Sequence, residues 1–284
     1  MLPLPLTLTI SFFIELICCS LYLAFIIFLA FRKEPSLSTP FLKLFCSTGL
    51  AGIGTVVTYW MVNFMLNLPV TRDTEWLIRV SQTTNGAAIY SFTVGTFIIV
   101  LNRLAVLNNI TSSINIWSTR KTLFLIGCQF ILPLMPHLYF VFGYVNWIDD
   151  TYTGWDNTTG SVSYGSIYRG LTGFVYVIFA ISGVALNILA VYRLKKLVLS
   201  AQNRTTISRD LAIYTLTSTA FHLLFAFHQF IWSYAFLSGN RDMLTIVRAV
   251  RYIIHDLTIF ADPIVMVSLS RPVRNVYRRW IFGS

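Results

Sequence analysis

Residues 253–275, IIHDLTIFADPIVMVSLSRPVRN, set His255, Asp256 and Asp262 in an otherwise apolar run that ends at Arg271-Pro272. About 20 mainly apolar residues are what a helix needs to cross a bilayer. An ionisable residue at that depth is costly unless it has a partner, so it faces other helices or a water-filled cavity. The stretch therefore reads as a membrane helix whose polar residues serve a purpose.

The rest of the chain agrees with that reading. Of 284 residues, 56% are hydrophobic and 11% charged, with mean hydropathy +0.68. A soluble domain carries about 25% charged residues, so this is an integral membrane protein. The net charge of +10 does not point to nucleic acid, because the 21 Lys and Arg are scattered between apolar runs; basic inner loops account for the same total. Cys18, Cys19, Cys46 and Cys128 all lie in apolar runs without C-x-x-C spacing. They read as packing residues, with no disulfide, metal or cofactor implied.

Seven stretches are long and apolar enough to span, at about 8–31, 40–66, 79–107, 121–144, 168–194, 209–237 and 243–269. The first is too long for a signal-peptide core and has no basic residue before it, so it reads as a retained span. With the N-terminus outside, fifteen of the 21 Lys and Arg fall on inner ends and loops and six on the outer side. That bias sets the orientation. Asp149, Asp150 and Asp156 cluster in the outer loop between the fourth and fifth spans, as does Asn157 in an NTT glycosylation acceptor. The sequons at Asn109 and Asn203 fall inside and should be silent. After the last span, Val273, Val276, Tyr277, Trp280 and Ile281 share one helical face, with Arg274, Asn275, Arg278 and Arg279 opposite. Residues 272–282 thus read as an amphipathic helix on anionic inner-leaflet lipid, started by Pro272. The expected fold is all-α: one seven-transmembrane domain over 1–284 with a short eighth helix.

This layout resembles a G-protein-coupled receptor. The third span ends in LNRLAVL, where Asn102-Arg103-Leu104 resembles the acid-Arg-aromatic triplet of rhodopsin-like receptors. The seventh ends in DPIVM, where Asp262-Pro263 resembles the Asn/Asp-Pro of their final inner motif. The loop NITSSINIWSTRK (109–121) and the ending DPIVMVSLSRPVRNVY (262–277) are similar to nematode serpentine chemoreceptors of the gamma and V classes. Asn102 stands in place of the acid, and Met266 in place of a tyrosine; the sixth span lacks a proline and the fourth a tryptophan. The resemblance implies a small-molecule ligand, a heterotrimeric G protein and a plasma-membrane location, in a sensory cilium for a sensory cell. It specifies no dimer.

A step of about 100° per residue puts Arg248, Arg251, Tyr252, His255, Ile259 and Asp262 on about one third of the seventh helix. Two readings of this stripe stand. It is polar glue between helices, or its outer part, with His228 of the sixth span, contacts ligand while Asp262 and Pro263 belong to an inner switch. Asp256 points away from the stripe, and Glu15 in the first span has no evident role. His137 and His222 read as neutral hydrogen-bonding residues. Tyr59, Trp60, Phe227, Phe230, Trp232 and Tyr234 are either interface belt or pocket wall. GLAGIG (49–54) reads as close helix packing. Arg103 needs an acceptor, and Asp210 in the first turn of the sixth span is the candidate; its alternative role is stabilising that helix N-terminus.

An intramembrane aspartyl protease needs carboxylates on facing helices. Asp256 and Asp262 share one helix, about 9 Å apart along it and about 120° around it, and no second span offers an aspartate at matching depth. An enzyme is not expected. A seven-span transporter or proton-linked carrier is the competing class, although the paired repeats common in transporters are absent. The expectation is a chemosensory receptor that takes a small molecule in the outer half of the bundle and activates a G protein at its inner face.

Overall fold

The computed structural model describes residues 6–31, 39–67, 72–108, 117–138, 141, 145–148, 151–155, 164–200, 205–238, 240–269, 273–275 and 277–278. Among them are seven long helices: α1 (Leu6–Phe31), α2 (Pro40–Asn67), α3 (Glu75–Asn108), α4 (Thr119–His137), α5 (Tyr164–Ser200), α6 (Thr205–Leu237) and α7 (Arg241–Leu269). Helix is the conformation that satisfies every backbone N–H and C=O within one segment, which a chain in lipid requires. Five of the helices contain an apolar stretch long enough to cross a membrane: Ile10–Phe31, Pro40–Phe64, Glu75–Val106, Gly173–Arg193 and Ala249–Leu269.

Of the expected fourth stretch, 121–144, residues 121–137 lie in α4 and Val141 is helical, while 139–140 and 142–144 lie outside the described residues. Ser118 caps α4, its hydroxyl accepting from Lys121 N and its carbonyl from Thr122 N at 3.0 Å. At the other end Pro133 and Pro136 lie in the last turns, and the Leu138 N–H closes on the Leu134 and Met135 carbonyls. The segment between α4 and α5 contains an antiparallel hairpin, β1 (Val145–Ile148) and β2 (Thr151–Trp155). Ile148 pairs with Thr151 and Val145 with Trp155, with a register shift after Asn146. Aromatic and β-branched residues in VNWI and TYTGW favour strand over helix here. Asn157, Asn109 and Asn203 lie outside the described residues.

The helices pack in a ring closed by α1 against α7, with α2–α3, α5–α6 and α6–α7 neighbours in sequence and space. α3 runs through the middle, touching α2, α4 and α5. Half of its membrane stretch is buried, against 18% of that of α5. This central place explains its polar outer half: Ser81, Thr83, Asn85 and Ser91 are buried, and the Ser81 and Thr83 hydroxyls donate to Leu77 and Arg79 carbonyls on their own helix. Large apolar side chains such as Ile17 and Leu21 of α1, Phe124 and Ile131 of α4, Phe227 of α6 and Ile264 of α7 point outward.

Two devices hold the ring. An apolar core of Tyr22, Phe25, Phe28, Phe45, Trp60, Ile259 and Met266 joins α1, α2 and α7. Fully buried Gln129 of α4 accepts from the Ser47 hydroxyl at 2.9 Å and donates to the Ser91 carbonyl at 3.1 Å, tying α4 to α2 and α3. The GLAGIG glycines pack closely, as their spacing suggests: Gly49 faces Tyr22 and Gly52 faces Ile259 and Phe92. Beyond α7, residues 273–275 and 277–278 are helical, with Val273 buried and the Tyr277 ring 5.6 Å from Phe25 and 5.5 Å from Phe28. Arg278 and Asn275 are exposed on the other side. Positions 272, 276 and 279–282 of the expected amphipathic helix lie outside the described residues.

At Gly95 a Cβ would overlap both Gln129 Nε2 and Thr48 Oγ1, whereas at Gly127 of α4 it would meet nothing. Gly95→Ala should therefore destabilise the protein by about 1–3 kcal/mol through overpacking. Gly127→Ala should be neutral or gain up to about 1 kcal/mol in helix propensity. Thermal unfolding of both variants in lipid nanodiscs checks this, and equal midpoints would refute the close α3–α4 approach.

Candidate functional site

Two polar clusters lie along α7. In the outer one, the Arg251 guanidinium carbon stands 4.1 Å from the Tyr59 ring centre and 5.5 Å from that of Trp232. Cation–π attraction lets the guanidinium sit against aromatic walls inside the bundle. One turn inward, His255 is buried with its ring 4.9 Å from Phe225, and its Nε2 has no hydrogen-bond partner among the described residues. His228 of α6 is buried beside Trp232. Its Nε2 lies 3.0 Å from the Val247 carbonyl, which can only accept, so a proton is on that nitrogen, and Nδ1 has no hydrogen-bond partner among the described residues.

A small cavity between α1, α2 and α7 is lined by Glu15, Val56, Tyr59, Arg251, His255 and Asp256. Buried Glu15 accepts a 2.7 Å hydrogen bond from Trp60 Nε1 on Oε2, while Oε1 has no partner among the described residues. This places Asp256, which the stripe left out, opposite a carboxyl on another helix. The sequence argument against paired carboxylates counted aspartates only and is corrected here. Arg251 lines the same cavity.

The aromatic residues divide. Trp60 is buried, and Tyr59 and Trp232 wall the Arg251 site. Phe227, Phe230 and Tyr234 are more than half exposed and point away from it. Of the expected ligand residues, Arg251 and His255 share one cavity, and His228 meets the same wall at Trp232. The side chains of Arg248 and Tyr252 lie outside the described residues.

In the inner cluster Asn102, Arg103 and Asp262 are all buried. The Arg103 guanidinium carbon is 4.0 Å from the Tyr214 ring centre and 4.9 Å from that of Phe41. The Tyr214 side chain hydrogen-bonds to both Arg103 and Asp262. α2, α3, α6 and α7 thus meet at one tyrosine, which sequence reasoning missed. The signal was present: Tyr214 is one helical turn beyond Asp210, the residue chosen as partner. The Asp210 side chain lies outside the described residues. Pro263, next to Asp262, removes one backbone hydrogen bond from α7 and loosens the helix there.

The other histidines are engaged. His137 sits on Pro133 O at 2.7 Å, against Tyr90, and His222 bridges the Ser218 carbonyl at 2.6 Å and Thr96 Oγ1 at 3.0 Å. Among the described residues no three His, Cys, Asp or Glu gather where they could hold a metal.

Residues 8–277 match the Srg family of chemoreceptors. The chain belongs to the Srg chemoreceptor family. Comparison with curated proteins gives no match. Membership makes the protein a serpentine, multi-pass membrane receptor of the G-protein-coupled type, as the motifs around Arg103 and Asp262 implied. Within this Srg receptor, α7 is the element common to both clusters.

In the outer cluster, Trp60→Phe deletes the N–H that holds Glu15 and leaves a buried carboxyl unsupported. It should cost about 1.5–3 kcal/mol. A thermal double-mutant cycle with Glu15→Gln should show the two losses to be strongly non-additive; additive losses would mean that the pair does not interact.

Proposed function

We propose that this Srg family chemoreceptor spans the membrane seven times with its N-terminus outside. It binds a small molecule in the outer half of the bundle and activates a heterotrimeric G protein at its inner face. The carrying observation is that α7 joins the Arg251–His255 cluster to the Arg103–Tyr214–Asp262 cluster on one helix. A ligand that engages Arg251 and His255, with Arg248, Tyr252 and His228 nearby, gains binding energy in one position of α7 over another. That difference shifts a two-state bundle. At the inner end the shift exchanges the contacts of Arg103, loosening α3 from α6 and α7 where a G protein docks. Asp210, one turn from Tyr214, holds Arg103 in the resting state.

Support for seven spans comes from the outward-facing apolar side chains of α4 and α6, such as Phe124, Ile131, Phe227 and Phe230. The excess of inner basic residues supports the orientation. The receptor resides in the plasma membrane, in a sensory cilium where the cell has one, with Arg274 and Arg278 towards anionic inner-leaflet lipid. A carrier is the second reading, favoured by Glu15, Asp256 and His255 around one cavity, a grouping able to relay protons.

A ligand screen with a G-protein readout separates the two. An agonist must bind more tightly when G protein is added; unchanged affinity supports the carrier. In the same assay Arg251→Ala should weaken the agonist about tenfold or more at unchanged surface expression, whereas equal loss of expression and response means structural glue. Arg103→Ala should abolish coupling. Asp210→Asn should raise ligand-free signalling, and normal basal activity removes the lock.

Orientation has its own check. Asn157→Gln should remove the glycosidase-sensitive band shift, while Asn109→Gln and Asn203→Gln should leave it. A shift lost only in Asn203→Gln reverses the topology.

A further inference from the structure

A groove runs between α1 and α7 on the outside of the ring, over the C-terminal half of α7. It holds about 340 Å³ of open space, at the lower end of the usual range for small-molecule pockets. The buried side chains of Tyr22 and Phe25 form its floor, with Cys18 on the α1 side and Pro263 and Val267 on the α7 side. Tyr277, from the helical residues beyond α7, lines one end and is held there edge-on to Phe25 and Phe28. Leu21 and Ile264 also line it and are each 65% exposed. The groove therefore opens outward, where a membrane protein meets lipid.

Its length suits one leaflet. The α7 lining runs from Phe260 to Ser268, about 12 Å at about 1.5 Å per residue. Half of the hydrocarbon core of a bilayer is about 15 Å deep. The groove thus covers most of the depth that one acyl chain occupies, and it ends where α7 ends.

Charge at that end is one-sided. No Lys, Arg, Asp or Glu lines the groove itself. Arg274 Nη1 donates to the carbonyl of Ser268, a lining residue, which sets the guanidinium at the mouth. Arg278 follows one turn later and is exposed. Positions 263–284 contain four arginines and no Asp or Glu. A guanidinium has five N–H donors, so one bond to a carbonyl leaves the fork able to take a phosphate through two others. A sterol, or an apolar side chain of a second copy, would fill the groove and bring no anion to Arg274. A phospholipid with a negative headgroup meets both requirements at once.

We propose that the α1/α7 groove holds one anionic phospholipid, its acyl chain along Tyr22, Phe25, Pro263 and Val267 and its phosphate on Arg274. This goes beyond the general attraction of a basic segment to an anionic surface, because it is a single saturable site with a chain seated between two helices. The orientation of the receptor decides which leaflet supplies the lipid; binding itself depends neither on orientation nor on G-protein coupling.

Native mass spectrometry of the purified full chain in a neutral detergent tests it, with phosphatidylserine and phosphatidylcholine of identical chains as probes. Phosphatidylserine should be retained at one per chain and bind about tenfold more tightly than phosphatidylcholine. Glycerophosphoserine, the same headgroup without chains, and cholesterol should not displace it. Arg274→Gln should remove most of the preference while phosphatidylcholine is retained as in wild type, which also shows that the variant is folded; Arg274→Lys, which keeps the charge, should preserve most of it. Cys18→Phe, which fills the groove, should lower retention of both phospholipids about tenfold at an unchanged thermal midpoint without lipid. Displacement by glycerophosphoserine would mean a phosphate site without a chain, and displacement by cholesterol a neutral apolar groove. Either result, equal retention of the two phospholipids, or undiminished retention in Cys18→Phe overturns the assignment. A reversed topology or a missing G-protein response leaves it standing.

Discussion

A guanidinium buried among helices must find acceptors or aromatic faces, and Arg103 meets that requirement with residues from three other helices. Tyr214 supplies a ring beneath it and a hydroxyl beside it, Phe41 a second ring, and the same hydroxyl reaches Asp262. Loss of one contact leaves a charge in a site with little water, and in such a site the penalty for an unpaired group exceeds the net worth of the pair. The inner ends of α2, α3, α6 and α7 are thereby held to one arrangement. Asn102, which offers only a neutral hydrogen bond beside Arg103, makes the interhelical contacts more important than they would be with an acid at that position.

The same constraint, applied to uncharged groups, shapes the middle of the bundle. Helices in lipid gain little from burying apolar surface against one another, so they associate through close packing and hydrogen bonds. Gln129 does both: it reaches Ser47 on α2 and the Ser91 carbonyl on α3, and Gly95 leaves room for its amide. The serines and threonines of α3 mostly return their hydroxyls to carbonyls one turn back. They give the central helix a small cross-section at little cost in unsatisfied groups.

α7 stands between two kinds of environment. Its inner carboxyl, Asp262, is buried near Tyr214 and Arg103, and its outer half carries His255, whose Nε2 has no hydrogen-bond partner among the described residues, with Glu15 across the cavity. One helix thus carries two buried polar clusters, with Pro263 beside the Asp262 one.

Much of this was legible in the chain itself. Hydropathy and the scarcity of charge establish an integral membrane protein, because no aqueous fold tolerates such a composition. The loop at 109–121 and the ending at 262–277 resemble serpentine chemoreceptors, and the family match agrees. The 100° step placed His255, Ile259 and Asp262 on one face, and all three are buried. Periodicity describes one helix at a time, however, and says nothing of which helix stands opposite. Tertiary structure alone brought Glu15 to Asp256, Tyr214 to both Arg103 and Asp262, and Gln129 to Ser47, residues 82 positions apart. It also paired residues 145–148 with 151–155 in a hairpin, where the sequence reading had only a loop.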